Sequence, residues 1–434
     1  MYQPMETLAK VHNLIQQGYK PCIDSRDVEG NCLFFALKGE NFDGNAFAED
    51  ALSKGAFLAI CDDQSLKDKH NIEYVPNTLI FLQDLAKRHR KSLNIPVVGL
   101  TGSNGKTTTK ELILRILSAQ FNAFATKGNL NNHIGVPLSI LSITSQHQIA
   151  IIEMGANHIG EIETLCTIAK PTHGLITNIG KAHLEGFGSI EGVGKAKSEL
   201  YRFLASNNGV VFINEKNQIL NTLLHQYNFN GIVKYNNQTI NAQTTPNQGN
   251  FLELEVANDN KKLGLSTQMV GEYNIENIVA AISVGQYFGI SIESCLLAIE
   301  NYTPQNSRSQ IIETEHNTIV LDAYNANPSS MEVALLNFHS IKHKNAKTVV
   351  LGEMLELGNY ARAEHEQAYQ LAKGLFETVY TVGKNYREIT ENPKYWFAKV
   401  NDLKIHLKEK PIKNHFILLK GSRGVKLEEL LGVL

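Results

Sequence analysis

The chain lacks any long apolar run. No stretch of its 434 residues approaches the roughly 20 consecutive apolar residues that a membrane-spanning helix needs. Its start, MYQPMETLAK, has neither the basic nor the apolar segment of a secretory leader, so a cytoplasmic location is expected. Cysteine is scarce and scattered: Cys22, Cys32, Cys61, Cys166 and Cys295 form no C-x-x-C pair, and five is an odd number. Neither a zinc ribbon nor a disulfide framework is indicated. An excess of one charge is also missing, since 41 Lys+Arg stand against 43 Asp+Glu. The basic footprint of a nucleic-acid-binding protein is therefore absent from the total. No stable membrane insertion and no nucleic-acid partner are expected.

What the chain has is length and alternation. At about 150 residues per domain, three domains are expected. Residues 1–95 mix short apolar runs such as LFFALKG with helical stretches such as TLIFLQDLAKRHRK. Residues 96–305 alternate apolar runs (IPVVGLTG, IAIIEMG, HGLITNIG, GVVFIN) with helix-like segments, the signature of parallel strands with crossover helices. Within them, 231–270 is polar, Asn-rich and weakly alternating, and reads as a small β-rich excursion. Residues 306–434 repeat the α/β pattern with TIVLDAYNANP, TVVLGEM, TVYTVG and HFILLKG. The predicted fold is α/β in three domains, with the boundaries at Pro96 and at NYTPQNS.

The sharpest local signal is GLTGSNGKTTTKE, Gly99–Glu111. A buried strand runs into a glycine-rich turn, and a helix begins at Lys-Thr. Such a turn closes backbone N–H groups around phosphate oxygens, and the helix start adds its positive dipole end. Gly102, Ser103, Asn104, Gly105 and Thr108 would form the cradle. Lys106 would reach the outer phosphates, and the Thr107 hydroxyl a Mg²⁺ ion. The strict phosphate-loop pattern wants glycine where this chain has Leu100, so the loop is a shortened form. Magnesium takes hard oxygen ligands. Glu153, after the strand IAIIEMG, is placed for this, although an acid there could equally cap a helix. His183, in KAHLEGFG, and Lys197, in GKAKSELY, follow. An ammonium has no lone pair, so Lys197 as it stands cannot ligate a metal.

TGSNGKTTTKE, KGNLNNHIGVP, IEMGANHIGEI, AHLEGFGS, GEYNIENIVAA, DAYNANPSSM and LKGSRG, in this order and over essentially the whole chain, resemble the Mur ligases of bacterial cell-wall synthesis. LFFALKGENFDG and GNLNNHIGVP most resemble the branch that adds D-alanyl-D-alanine to UDP-N-acetylmuramoyl-tripeptide. The resemblance implies a UDP-sugar-binding domain, a central phosphate-loop ATPase domain and a Rossmann-like C-terminal domain. It implies an ATP-dependent ligase acting as a monomer. ATP would phosphorylate the peptide carboxylate, and the dipeptide amine would attack the acyl phosphate and expel phosphate.

The resemblance also assigns residues. Lys106, Lys197, His183 and Arg308 would be catalytic. Thr107, Glu153, His183 and a CO₂-derived carbamate on Lys197 would hold Mg²⁺, two ions being expected. Lys195 competes with Lys197 for the carbamate. Asn274 and Asn277 would meet adenine, or one of them would cap the helix. Arg308, Asp322, Tyr324 and Asn325 would lie beside the nucleotide. Arg308 follows Ser307, where the family usually has glycine. Ser25, Arg26, Lys38, Gly39 and Asp43 would bind the UDP-sugar. Asn129, Asn131, Asn132, Lys420, Ser422 and Arg423 would meet the peptide or the incoming amine. The family's Asn-Ala-Asp-Asp is replaced by NEKN, Asn214–Asn217. Sister ligases that add one amino acid and folate-chain ligases are the nearest alternatives. A nucleotide-binding regulatory module is a more distant one. Domain closure is expected, with hinges near 95 and 305.

Overall fold

A computed structural model describes residues 4–236, 242–244, 251–258, 261–305 and 307–434. The first sheet is parallel, in the order β1 (Lys20–Cys22), β2 (Cys32–Phe35), β3 (Ala56–Cys61), β4 (Ile72–Tyr74). The β2 strand shows why: Leu33 and Phe35 point to one apolar cluster and Phe34 to another, the alternation that the pleat imposes. The strand stops at Phe35, short of the Gly39 expected from LFFALKG.

The central sheet contains β5 (Val97–Thr101), β6 (Ala123–Ala125), β7 (Ile149–Glu153), β8 (His173–Ile176), β9 (Val210–Asn214) and β10 (Gly231–Tyr235). Its order is β10-β9-β8-β5-β7-β6, and every pairing is parallel. Both faces are covered, which accounts for the nearly continuous apolar runs. Ile149 and Ile151 enter one core cluster, Ala150 and Ile152 the other. The chain passes from β7 on one side of β5 to β8 on the other. That switch opens a crevice at the carboxyl ends of β5, β7 and β8, where such sheets bind ligands.

The β-rich excursion is a three-stranded antiparallel sheet, β11 (Ala242–Thr244), β12 (Glu253–Asn258) and β13 (Lys261–Ser266). Residues 237–241, 245–250 and 259–260 of the Asn-rich stretch, and residue 306 at the second boundary, lie outside the described residues. The third sheet runs β14 (Gln310–Glu313), β15 (Thr318–Asp322), β19, β16 (Ala346–Gly352), β17 (Thr378–Val382), β18 (Trp396–Phe397), with β19 spanning His415–Lys420. Only β14 is antiparallel to its neighbour. The four strands expected from sequence are its centre, and the short edges β14 and β18 are additions. Among the described residues no helix is long and apolar enough to cross a membrane.

The junction near 95 is a packed seam. One apolar cluster runs from Val11, Leu33 and Ile60 through Leu82 and Leu85 to Ile140, Leu165 and Leu200. The buried Arg90 guanidinium, on the helix Thr78–Ser92, donates to the carbonyls of Ala169 (2.8 Å), Leu93 (2.9 Å), Lys170 (3.2 Å) and Ile95 (3.3 Å). A hinge at 95 would have to open this shared core. At the second junction the contacts are mostly polar: Lys181 pairs with Glu364 at 2.6 Å, and the Tyr360 hydroxyl donates to the Gly188 carbonyl at 3.0 Å.

Candidate active site

The phosphate loop leaves β5 at Thr101 and enters the helix Lys106–Leu117. Two glycines make the turn. Gly102 has φ 145°, and a Cβ there would stand 2.0 Å from Thr177 Oγ1; Gly105 has φ 79°, and its Cβ would stand 2.4 Å from Asn277 Oδ1. Neither backbone conformation nor space admits a side chain. No side chain caps the helix, so its first amides are left for an anion. The loop is braced from β8: Asn178 takes the Asn104 N–H on its Oδ1 at 3.0 Å, and the Thr177 hydroxyl donates to the Asn104 carbonyl at 2.6 Å.

Lys106 folds back on its own loop, donating to the carbonyls of Gly102 (2.6 Å) and Ser103 (3.0 Å). Burial pushes its pKa down to about 8; Glu153 opposes this and Arg308 adds to it. The Thr107 hydroxyl donates to Glu153 Oε2 at 3.0 Å, and Asn131 Nδ2 donates to Glu153 Oε1 at 2.8 Å. Glu153 is buried at the end of β7, as its place after an apolar strand predicts. His183 takes a left-handed φ of 51° and contacts the Glu356 carboxylate of the C-terminal domain through Nδ1.

Lys197 is buried at 1% exposure, whereas Lys195 lies exposed on the same helix. Among the described residues the Lys197 ammonium has one hydrogen-bond acceptor, the Ala156 carbonyl at 3.1 Å, and stands 5.2 Å from the Phe187 ring centre. Burial holds its pKa well below the lysine range; the nearby Lys106 charge adds to this, while Glu161 and Glu199 oppose it. A neutral amine is the form that reacts with CO₂. A carbamate there would be an anion facing Lys106, and it would supply the oxygen ligands an ammonium lacks. The residues fit that modification. Among the described residues no three His, Cys, Asp or Glu side chains gather to hold a metal ion by themselves, so a cation site here needs donors such as the Thr107 hydroxyl.

Most of these groups surround one cleft of about 1400 Å³ between the central and C-terminal domains. Ser103, Asn104, Gly105, Lys106, Thr107, Thr108, Asn129, Asn131, Asn132, Glu153, His183, Asn274, Asn277, Arg308, Asp322, Tyr324, Asn325 and Lys420 line it. Gly102, Lys197, Ser422 and Arg423 stand outside the lining, and so do Ser25, Arg26, Lys38, Gly39 and Asp43. Those last five sit on the N-terminal domain, where Arg26 pairs with Asp24 and Lys38 with Asp62 at 2.9 Å.

Several assignments sharpen. Asn274 and Asn277 are buried inside the helix Asn274–Tyr287, whose cap position is Tyr273. Neither asparagine is the cap. Asn277 Nδ2 donates to Asn274 Oδ1 at 2.9 Å, and Asn277 Oδ1 accepts from the Thr109 hydroxyl at 3.1 Å. The pair braces the phosphate loop from behind as well as lining the cleft. Arg308 lies 3.8 Å from the Tyr324 ring centre, and its buried Nε has no hydrogen-bond partner among the described residues. Ser307 has φ 56°, the left-handed conformation that favours the glycine usual there. Lys420 is committed to an ion pair with Asp322 at 2.8 Å and to the Asn325 carbonyl at 2.9 Å. Ser422 is buried and bridges the Leu355 N–H and the Ala326 carbonyl. Arg423 is exposed, 5.3 Å from the Tyr324 ring centre. Asn214 and Asn217 of NEKN accept local backbone N–H groups, Asn217 capping the helix Gln218–Leu224.

Sequence reading passed over four residues that matter here: Asn178, Asn327, Glu356 and Lys110. Asn327 Nδ2 donates to Asn104 Oδ1 at 2.8 Å, so the C-terminal domain touches the phosphate loop. The rule that singled out Glu153, an acid just past a buried strand, points in VVLGEMLELG to Glu353, directly after the strand Ala346–Gly352, and not to Glu356 three residues further on.

Comparison with known proteins agrees with this arrangement. Models of the Mur ligase family catalytic domain, the Mur ligase middle domain and the Mur ligase glutamate ligase domain match residues 22–98, 100–285 and 307–423 in turn. The UDP-N-acetylmuramoyl-tripeptide–D-alanyl-D-alanine ligase of Bacillus subtilis (strain 168) is 34% identical over 421 residues, covering 94% of this chain and 91% of its own. The Escherichia coli (strain K12) enzyme of the same name is 32% identical over 426 residues, covering 95% and 92%. The crystal structure of MurF from Acinetobacter baumannii superposes with a TM-score of 0.82 at 28% identity, over 98% of this chain and 97% of that one. MurF ligase from Thermotoga maritima in complex with ADP gives 0.83 at 25%, over 97% of both. With all three domains matched in order and the phosphate loop, Glu153 and Arg308 around one cleft, the chain belongs to the Mur ligase family.

Proposed function

We infer that the protein joins D-alanyl-D-alanine to UDP-N-acetylmuramoyl-tripeptide at the expense of ATP, giving the pentapeptide precursor of peptidoglycan. The observation that carries this reading is the shared cleft, in which the phosphate loop of one domain faces Arg308, Asp322 and Tyr324 of the next. A peptide carboxylate is a poor electrophile, and phosphorylation turns one of its oxygens into a leaving group. The protein's part is to align the two and to neutralise charge on the moving phosphoryl group. Lys106 exchanges its two loop carbonyls for phosphate oxygens, and the uncapped helix amides join it. Arg308, propped on Tyr324, brings a second cation with an unused N–H. Asn274 and Asn277 hold the adenine side.

Thr107, Glu153, His183 and Lys197 as its carbamate would hold Mg²⁺, which supplies Lewis-acid stabilisation of phosphoryl charge when bound. The acyl phosphate then meets the dipeptide amine on the side of Asn129, Asn132 and Arg423, while Ser25, Arg26, Lys38, Gly39 and Asp43 anchor the UDP end. The test is a substrate panel. With ATP, Mg²⁺ and UDP-N-acetylmuramoyl-tripeptide, release of phosphate from ATP is expected only when D-alanyl-D-alanine is added. Turnover with a single amino acid, or with the dipeptide precursor, would refute the assignment.

A further inference from the structure

Lys110 is fully buried, on the phosphate-loop helix one turn beyond Lys106. The other buried positions of that helix are the hydroxyl residues Thr107 and Thr109 and the apolar Leu112, Ile113, Ile116 and Leu117, so Lys110 is its one fully buried charge. A desolvated ammonium is unfavourable unless its partners compensate it, and an aliphatic side chain would fill the same space without that penalty. Its partners explain its presence. Lys110 Nζ donates to the Thr126 carbonyl at 2.6 Å and stands 3.1 Å from Glu111 Oε1 and 3.9 Å from Glu153 Oε2. Thr126 in turn accepts the Glu153 N–H on its own hydroxyl at 3.0 Å.

One ammonium thus ties the end of β6 to the end of β7 and stands against the carboxylate oxygen that faces Thr107. The opposite oxygen is held by Asn131. We propose that Lys110 is a positioning residue for the Glu153 carboxylate, fixing its aim at the Thr107 hydroxyl and so setting the affinity of the divalent-cation site. This rests on the reading of Thr107 and Glu153 as that site. Groups that orient ligands from behind commonly alter metal affinity by 10–100-fold.

The test measures Mn²⁺ binding to the ATP-saturated enzyme by electron paramagnetic resonance, beside the Mg²⁺ concentration for half-maximal turnover. Binding of UDP-N-acetylmuramoyl-tripeptide without nucleotide serves as the control. Lys110→Met is expected to weaken Mn²⁺ by about tenfold or more and to raise the Mg²⁺ requirement in parallel, leaving the control unchanged. Lys110→Arg, which keeps the charge, is expected to restore much of the loss. If Lys110→Met does not fold, Lys110→Gln, which keeps a donor for Thr126, carries the same measurement. Unchanged Mn²⁺ affinity in Lys110→Met, or an equal loss in the control that Lys110→Arg fails to rescue, overturns the proposal. Glu153→Gln separates the premise: if it too leaves Mn²⁺ affinity intact, the cation-site reading falls first.

Discussion

Replacing Gly105 with alanine tests the phosphate loop where its geometry is most constrained. The residue sits at φ 79°, and an L-side chain in that region costs about 1–2 kcal/mol. The new Cβ would stand 2.4 Å from Asn277 Oδ1, so Asn277 must move. Moving it breaks its hydrogen bonds to Thr109 and Asn274, at about 1 kcal/mol each. The sum is about 3–4 kcal/mol, borne by the loop and the helix start. At 1.4 kcal/mol per decade, ATP affinity is expected to fall by about 100-fold or more. Calorimetric titration with a non-hydrolysable ATP analogue reads this directly. UDP-precursor binding, proposed above for the N-terminal domain, is expected to stay unchanged. In the double variant with Asn277→Ala the clash is gone and the same bonds are already lost. The two effects are therefore expected to be sub-additive by about 1 kcal/mol or more. An affinity within threefold of the parent, or strictly additive effects, would falsify the reasoning.

Three further outcomes are expected. Phosphate favours the charged form of Lys106, whose pKa burial lowers from 10.5 to about 8. Nucleotide binding should therefore take up protons above pH 8 and weaken as the pH rises towards 10. The sign for stability is opposite: the unliganded protein should gain stability over that window, because the unfolded chain binds the proton longer. Calorimetry in buffers of differing ionisation enthalpy checks the uptake, and zero proton linkage at pH 8.5 would contradict it. Protein equilibrated with ¹³C-labelled bicarbonate should show one carbamate carbon resonance that Lys197→Arg abolishes and Lys195→Arg retains. The reverse pattern would move the modification to Lys195. Arg90→Met leaves four carbonyls without their donor, and at about 1 kcal/mol each should destabilise the protein by about 3 kcal/mol or more in urea unfolding. A loss below 1 kcal/mol would show that water replaces the guanidinium.

The parts of the site legible in the sequence are those built locally. Strand, glycine turn and helix are consecutive around Lys106, and an acid after an apolar strand marks Glu153. The rest depends on distant partners. The spacing to ELY favours Lys197 over Lys195, but only the fold shows that Lys195 is exposed and that Lys197 lies under Phe187 and beside Lys106. Asn274 and Asn277 look like cap residues because asparagine favours caps; the chain enters that helix one residue earlier, at Tyr273. Lys110 could have been suspected, since it shares a helical face with Ile113 and Leu117. Its use, however, depends on Thr126, which arrives from another strand. The sequence suggested a hinge near 95 because Pro96 marks a boundary there, and a proline does not record that Leu82, Leu85 and Arg90 pack into the neighbouring domain.

That shared seam bears on how the protein is made. Its largest apolar cluster draws on residues from Val11 to Leu224. The N-terminal sheet therefore cannot bury its inner face when its own last strand leaves the ribosome. The helix Thr78–Ser92 packs against the helices Gly135–Leu141 and Glu161–Ala169, so the seam is completed only once these have emerged. Domains ordinarily fold in turn during synthesis; here the first two would complete together. The C-terminal cores, drawn almost wholly from residues after 318 apart from Leu184, follow as a separate event.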